Sequence, residues 1–112
     1  MRVKALEWTT VLIPFAGGEP PAVTVGFERA ASDRICRLWL EDPTGRRDEW
    51  IWSYRALRLL GVRGEFETDA GLVHLQRDRE GRIRRAAAVG ATYLAPFLPD
   101  RLTAPALRVW TA

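Results

Sequence analysis

Strand-length segments broken by glycine-, proline- and aspartate-rich turns recur along this chain, and the clearest case runs from Glu65 to Leu94. Gly71–Gln76 reads as a strand, Asp78-Arg79-Glu80-Gly81-Arg82 as a tight turn, and Arg82–Leu94 as a longer second strand in which Gly90 marks a bend or bulge. A chain that reverses this often cannot build long helices. It must pair its short strands antiparallel.

The rest of the sequence repeats the pattern. Ala5–Ile13 alternates Leu6, Trp8, Thr10 and Leu12 on one face and closes at Pro14; Phe15–Pro21 is a loop by its turn chemistry. Ala22–Glu28 and Arg34–Glu41 are strands, the second ended by Asp42-Pro43-Thr44-Gly45. Glu49–Ala56 carries Trp50, Trp52 and Tyr54 at period two. Leu57–Arg63 is ambiguous, Glu65–Thr68 is a short strand or a lead-in to the next one, and Leu107–Trp110 is a last edge strand. The expectation is an all-β fold, an antiparallel β-sandwich of roughly seven to eight short strands. It forms one domain over residues 1–112, with no repeat or linker.

At 112 residues the chain is long enough to bury a core, and 47% hydrophobic against 28% charged residues places it among globular rather than disordered sequences. No apolar run reaches the roughly 18 residues of a membrane span. Met1–Trp8 is read as lacking a signal peptide, because Glu7 interrupts any apolar region. One cysteine, Cys36, forms no internal disulfide and leaves the compartment open. Sixteen of the seventeen basic residues are arginine, yet fourteen acidic residues offset them and the formal charge is only +3. Anionic partners are compatible with that balance but not demanded by it.

Catalytic vocabulary is sparse. One histidine and one cysteine make no zinc centre. Glu41, Asp42, Asp48 and Glu49 flank one turn without the oxygen spacing of a calcium loop and read as a solvated acidic turn. Gly17-Gly18 runs into Glu19-Pro20-Pro21, which repels phosphate and removes amide donors. No cofactor motif is present.

The order of Trp8–Pro14, then Asp48-Glu49-Trp50-Ile51-Trp52, Thr68-Asp69-Ala70 with Leu72-Val73, the Arg77–Arg82 turn and Gly90-Ala91-Thr92-Tyr93-Leu94 resembles the C-terminal β-rich region of heparinase II/III-like proteins. Those resemble polysaccharide lyases in which a helical toroid precedes β-sandwich domains. The resemblance spans roughly residues 7–94, on short motifs that many β proteins share. It implies a non-catalytic accessory or structural β-sandwich, contacting an acidic polysaccharide or a helical-toroid catalytic domain. It also implies a periplasmic or extracellular setting if the parent lyase is exported. In that family Tyr and His abstract the proton beside a uronate carboxylate, but Tyr54, Tyr93 and His74 match no such motif, so no catalytic residue carries over.

Two groups remain as candidate glycan- or anion-binding residues. Arg77, Arg79, Arg82, Arg84 and Arg85 surround the Gly81 turn, where guanidinium forks suit carboxylates or sulfates; a solvated hairpin tip is the blander reading, and the preferred one. Trp50, Trp52 and Tyr54 share a face, either as a sugar-stacking platform or as core. Ile51, Ser53 and Arg55 make a poor core face, which favours the aromatics as core. Trp39 is expected to be the more exposed ring, since Cys36, Leu38 and Leu40 make the better buried face. His74 reads as a strand histidine at the core's edge. The alternatives to a lyase-associated domain are an independent protein-interaction module, with Val109-Trp110 as its apolar patch, and, less favoured, a nucleic-acid binder that lacks any stacking motif.

Overall fold

The computed structural model describes residues 10–30, 35–53, 58–61 and 64–112. It is all-β, with nine strands among the described residues in two antiparallel sheets. The strands are β1 (Thr24–Ala30), β2 (Ile35–Glu41), β3 (Arg47–Ser53), β4 (Leu59–Leu60), β5 (Glu67–Thr68), β6 (Leu72–Arg77), β7 (Ile83–Ala91), β8 (Leu94–Ala95) and β9 (Ala106–Thr111). The large sheet runs β1-β2-β3-β6-β7-β9, and the small sheet runs β4-β5-β8.

Two hairpins frame the large sheet, and their turns share one sequence logic. Asp42-Pro43-Thr44-Gly45-Arg46 joins β2 to β3, and Asp78-Arg79-Glu80-Gly81-Arg82 joins β6 to β7. In each, the aspartate carboxylate accepts backbone N–H bonds from residues two and four further on: Thr44 and Arg46 at 2.9 and 3.1 Å, Glu80 and Arg82 at 3.1 and 2.9 Å. The glycine sits in the left-handed region, at φ +89° for Gly45 and +84° for Gly81, where a side chain is strained.

Residues that alternate along the strands separate into two faces. Ile51, Val73, Leu75, Ala86 and Ala88 lie on the inner face, where Leu59, Phe66, Ala70 and Leu94 from the small-sheet side close over them. Each fully buried Leu, Val or Phe contributes roughly 1.5–3 kcal/mol. Trp110 of β9 joins this face and stacks on Phe97, ring centroids 4.4 Å apart.

Several expectations change. The inner face of β3 carries Ile51, not the aromatics; Trp50 and Trp52 are half-buried on the opposite face. The reason is the second sheet, which covers the Ile51 side. Tyr54 lies outside the described residues. Trp39 is half-buried, like Trp50 and Trp52; its indole lies over Gly26, its cross-strand partner, where an added Cβ would meet it at 2.0 Å, and Cys36 on the opposite face is buried. The strand expected over residues 5–13 falls partly outside the described residues, and Thr10–Ile13 forms no strand; Thr10–Leu12 lies beside Leu38, Leu40, Trp50, Trp52 and Leu72 of the large sheet. The long strand expected over Arg82–Leu94 divides. Its register shifts between Ala88 and Ala91 around Gly90 (φ +71°), and Leu94 enters the small sheet as β8.

Candidate functional site

On the inner face, beyond the hydrophobic core, opposite charges alternate across adjacent strands. Register places Arg37, Glu49 and Leu75 on neighbouring strands, with Arg47 opposite Arg77. Glu49 is 1% exposed and receives Arg77 Nε at 2.8 Å and Arg37 Nε at 3.3 Å, with Arg47 at 3.7 Å. Arg77 also grips Glu65 through both terminal nitrogens, at 2.6 and 3.0 Å, and Arg37 reaches Glu28 at 3.2 Å. The Glu65 hydrogen bonds hold the Arg77 guanidinium above its already high ordinary range, against the effect of burial. Burial works against the charge of Arg37, and Glu49 with Glu28 outweighs it. Trp39 adds a ring between two cations, Arg37 at 4.9 Å and Arg47 at 5.6 Å from its centroid.

These residues line a cleft of about 260 Å³ with Glu80 and Gly81. Its charges are Arg37, Arg47 and Arg77 against Glu49, Glu65 and Glu80, three of each sign. Every one of those guanidiniums already has a carboxylate. An incoming uronate or sulfate would have to displace an internal partner, so the cleft is an ionic brace before it is an anion site.

The five arginines around Gly81 therefore divide among four places. Arg77 turns inward into the brace. Arg79 and Arg82 stand exposed at the hairpin tip, paired with Glu80 at 3.1 Å and with Asp78 at 3.3 Å. Arg84 is exposed in the bulge between Gln76 and Arg77's partners and acts on Asp78, while Arg85 lies half-buried on the outer face. The acidic turn divides as well: Glu49 is buried inward rather than solvated, and Asp48 points outward.

The outer face of the large sheet forms three rows, two across all six strands and one across five. The first is Val25, Leu40, Asp48, Gln76, Arg85 and Thr111; the second Phe27, Leu38, Trp50, His74, Ala87 and Val109. The third runs through Arg29, Cys36, Trp52, Leu72 and Val89. Val25, Phe27, Val89 and Val109 are among the most exposed large apolar side chains, Phe27 at 47%. Thr10, Val11 and Leu12 border a groove of about 400 Å³ on this face with Leu38, Leu40, Trp50, Trp52 and Leu72. Its rings already pack on neighbours: Trp50 stacks on His74, 4.9 Å between centroids, and Phe27 tilts against Trp52 at 6.1 Å. One indole face of Trp50 is thus already occupied, which weakens it as a sugar platform.

His74 projects from the outer face, whereas Tyr93 lies beside the small sheet, its hydroxyl donating to Glu67 at 3.1 Å and Arg101 over its ring. Burial, then Glu67, pushes the Tyr93 phenol above its ordinary range. The sheet separates these two groups. The Thr68-Asp69-Ala70 and Thr92-Tyr93 motifs instead hold each other: Asp69 accepts from Thr92 N at 2.8 Å and from the Thr92 hydroxyl, and the Thr68 hydroxyl donates to Tyr93 O at 2.6 Å. No group of three or more metal-ligating side chains occurs among the described residues, and none of their helices is long and apolar enough to cross a membrane.

From the sequence, Glu49 reads as part of a solvated turn and Leu38 and Leu40 as a buried face, while Arg37, Arg47, Glu65, Phe27 and Leu72 receive no site role. Their signal was present as period-two alternation, but only the strand order makes it readable. Comparison with family models, with curated proteins and with solved structures gives no match for this chain.

Proposed function

We propose that this chain is a non-catalytic accessory β-sandwich of a heparinase II/III-like polysaccharide lyase, and that its outer sheet face seats a neighbouring domain of that protein, the helical toroid being the first candidate. The observation that carries the reading is the outer face itself. A six-stranded sheet at ~4.8 Å per strand, with three residues per strand on one side, offers about 600 Å² of flat area. That approaches the roughly 800 Å² each partner contributes to a standard interface. Within that area the apolar side chains from Val25 and Phe27 through Leu38, Trp50 and Leu72 to Val89 and Val109 are interrupted by Asp48, His74, Gln76 and Arg85, and Thr10–Leu12 borders part of them. Exposed apolar side chains grouped in this way mark a contact surface.

The charge balance of the inner cleft supports docking over glycan binding, as does the occupied face of Trp50. An independent protein-interaction module would use the same surface, with Val109 contributing and Trp110 turned inward on Phe97. Two measurements test the reading. Incubated with acidic glycans, the chain generates no absorbance from unsaturated uronate; its appearance would overturn the non-catalytic role. Nile red, a neutral apolar probe, binds the wild-type chain, and Phe27→Glu/Val109→Glu, which changes one exposed residue on each edge strand, weakens it about tenfold, or ~1.4 kcal/mol. Equal binding by both proteins would remove the docking face.

A further inference from the structure

β9 is an edge of the large sheet: β7 pairs with it on one side, and among the described residues no strand pairs with it on the other. One bond shows which backbone groups face the open side. The Ala112 N–H donates to Arg84 O at 2.9 Å, so Ala112 turns its backbone toward β7, and by alternation so do Trp110 and Arg108. The N–H and C=O groups of Leu107, Val109 and Thr111 therefore point away from the sheet. All three residues are exposed, Leu107 at 64%.

Native sheets keep such edges from pairing with charged side chains or proline. β1, at the opposite edge, carries Gly26, Glu28 and Arg29. β9 holds one charged residue, Arg108, and its guanidinium is 8% exposed and bonded to Asp100 Oδ1 at 2.6 Å and to Thr92 O at 3.2 Å. The open side from Leu107 to Thr111 is thus uncharged and free of proline.

We propose that β9 is a self-pairing edge: a second copy of this chain joins it antiparallel about a two-fold axis at Val109, so that the two large sheets become one. The inference is independent of what the outer face seats. A single register suits these residues, because outward-pointing groups must meet outward-pointing groups. With Val109 opposite Val109, each Leu107 faces a Thr111, and every facing pair exchanges N–H and C=O bonds. Between them Arg108 lies opposite Trp110, a cation beside an indole. Moving the axis to Arg108 sets arginine against arginine and Thr111 against Pro105, which has no N–H. Moving it to Trp110 leaves Leu107 with no facing residue in β9. The contact consumes the same edge on both copies, so assembly closes at the dimer.

Sedimentation equilibrium at low salt, where charge pairs act most strongly, tests this register. The wild-type chain is expected to show monomer and dimer and nothing larger. Leu107→Glu/Thr111→Glu places like charges opposite each other at both ends of the pairing and weakens the dimer about tenfold or more; Leu107→Lys/Thr111→Glu places opposite charges there and stays within about threefold of the wild type. Amide exchange supplies the second readout. The amides of Leu107, Val109 and Thr111 slow as concentration rises, while those of Arg108 and Trp110, bonded to β7, are protected throughout. A monomer at every concentration, assemblies beyond the dimer, equal weakening by the two double variants, or concentration-dependent protection on another strand would overturn the self-pairing edge.

Discussion

Glu49→Ala is expected to destabilise the fold by about 3–5 kcal/mol, the cost of stranding buried charge by deleting its partner. Glu49 is where the inner brace converges: Arg37 and Arg77, 17% and 11% exposed, both bond it directly. Without the carboxylate Arg77 keeps only Glu65 and Arg37 only Glu28, so both buried guanidiniums lose the partner they share. Glu65→Ala provides the contrast. Glu65 is 27% exposed and shares Arg77 with Glu49, so its loss costs about 1 kcal/mol. In a domain of this size each kcal/mol is worth roughly 4 °C or more in Tm, so Glu49→Ala should melt at least about 12 °C lower. Urea denaturation of both variants is the check. Equal losses, or a loss below about 1 kcal/mol for Glu49→Ala, would mean that the brace does not hold the sheet.

Asp69→Ala is the second large effect, about 2–3 kcal/mol. Asp69 closes the corner where the chain leaves the large sheet for the small one, taking the Thr92 N–H, the Thr92 hydroxyl and a longer bond from Tyr93 N. Burial works to raise its carboxyl pKa, and those hydrogen bonds outweigh it, holding the group below the ordinary carboxylate range. A folded pKa below the unfolded one gives stability that is complete above pH ~4 and is lost as pH falls through the folded value. Asp69→Asn should therefore be less stable at neutral pH and show a shallower acid limb. If both proteins lose stability in parallel below pH 4, the corner is held by something else.

Local chemistry was legible in the sequence where it acts locally. Asp78–Arg82 and Asp42–Arg46 form their turns through bonds spanning at most four residues, so the letters suffice. Gly90 signalled a break for the same reason, although the move of Leu94 into the other sheet depends on Asp69, more than twenty residues away. The inward face of β3 was not legible. A strand reading Glu49, Ile51, Ser53 on one side and Trp50, Trp52 on the other favours the aromatics as core until Arg37 and Arg77 arrive from other strands to neutralise Glu49. Arg77 was misplaced with the hairpin tip for that reason: its partners, Glu49 and Glu65, lie 28 and 12 residues away in sequence.

The outer face is the centre of the functional account, and the indole N–H resonances report on it directly. Among the chain's five tryptophans, Trp50 and Trp52 lie on the outer face, whereas Trp39 and Trp110 lie on the inner one. Titration with Nile red followed by two-dimensional NMR should shift Trp50 and Trp52 together and leave Trp39 and Trp110 in place. Shifts centred on Trp39 would put the binding surface in the arginine cleft and contradict the docking face.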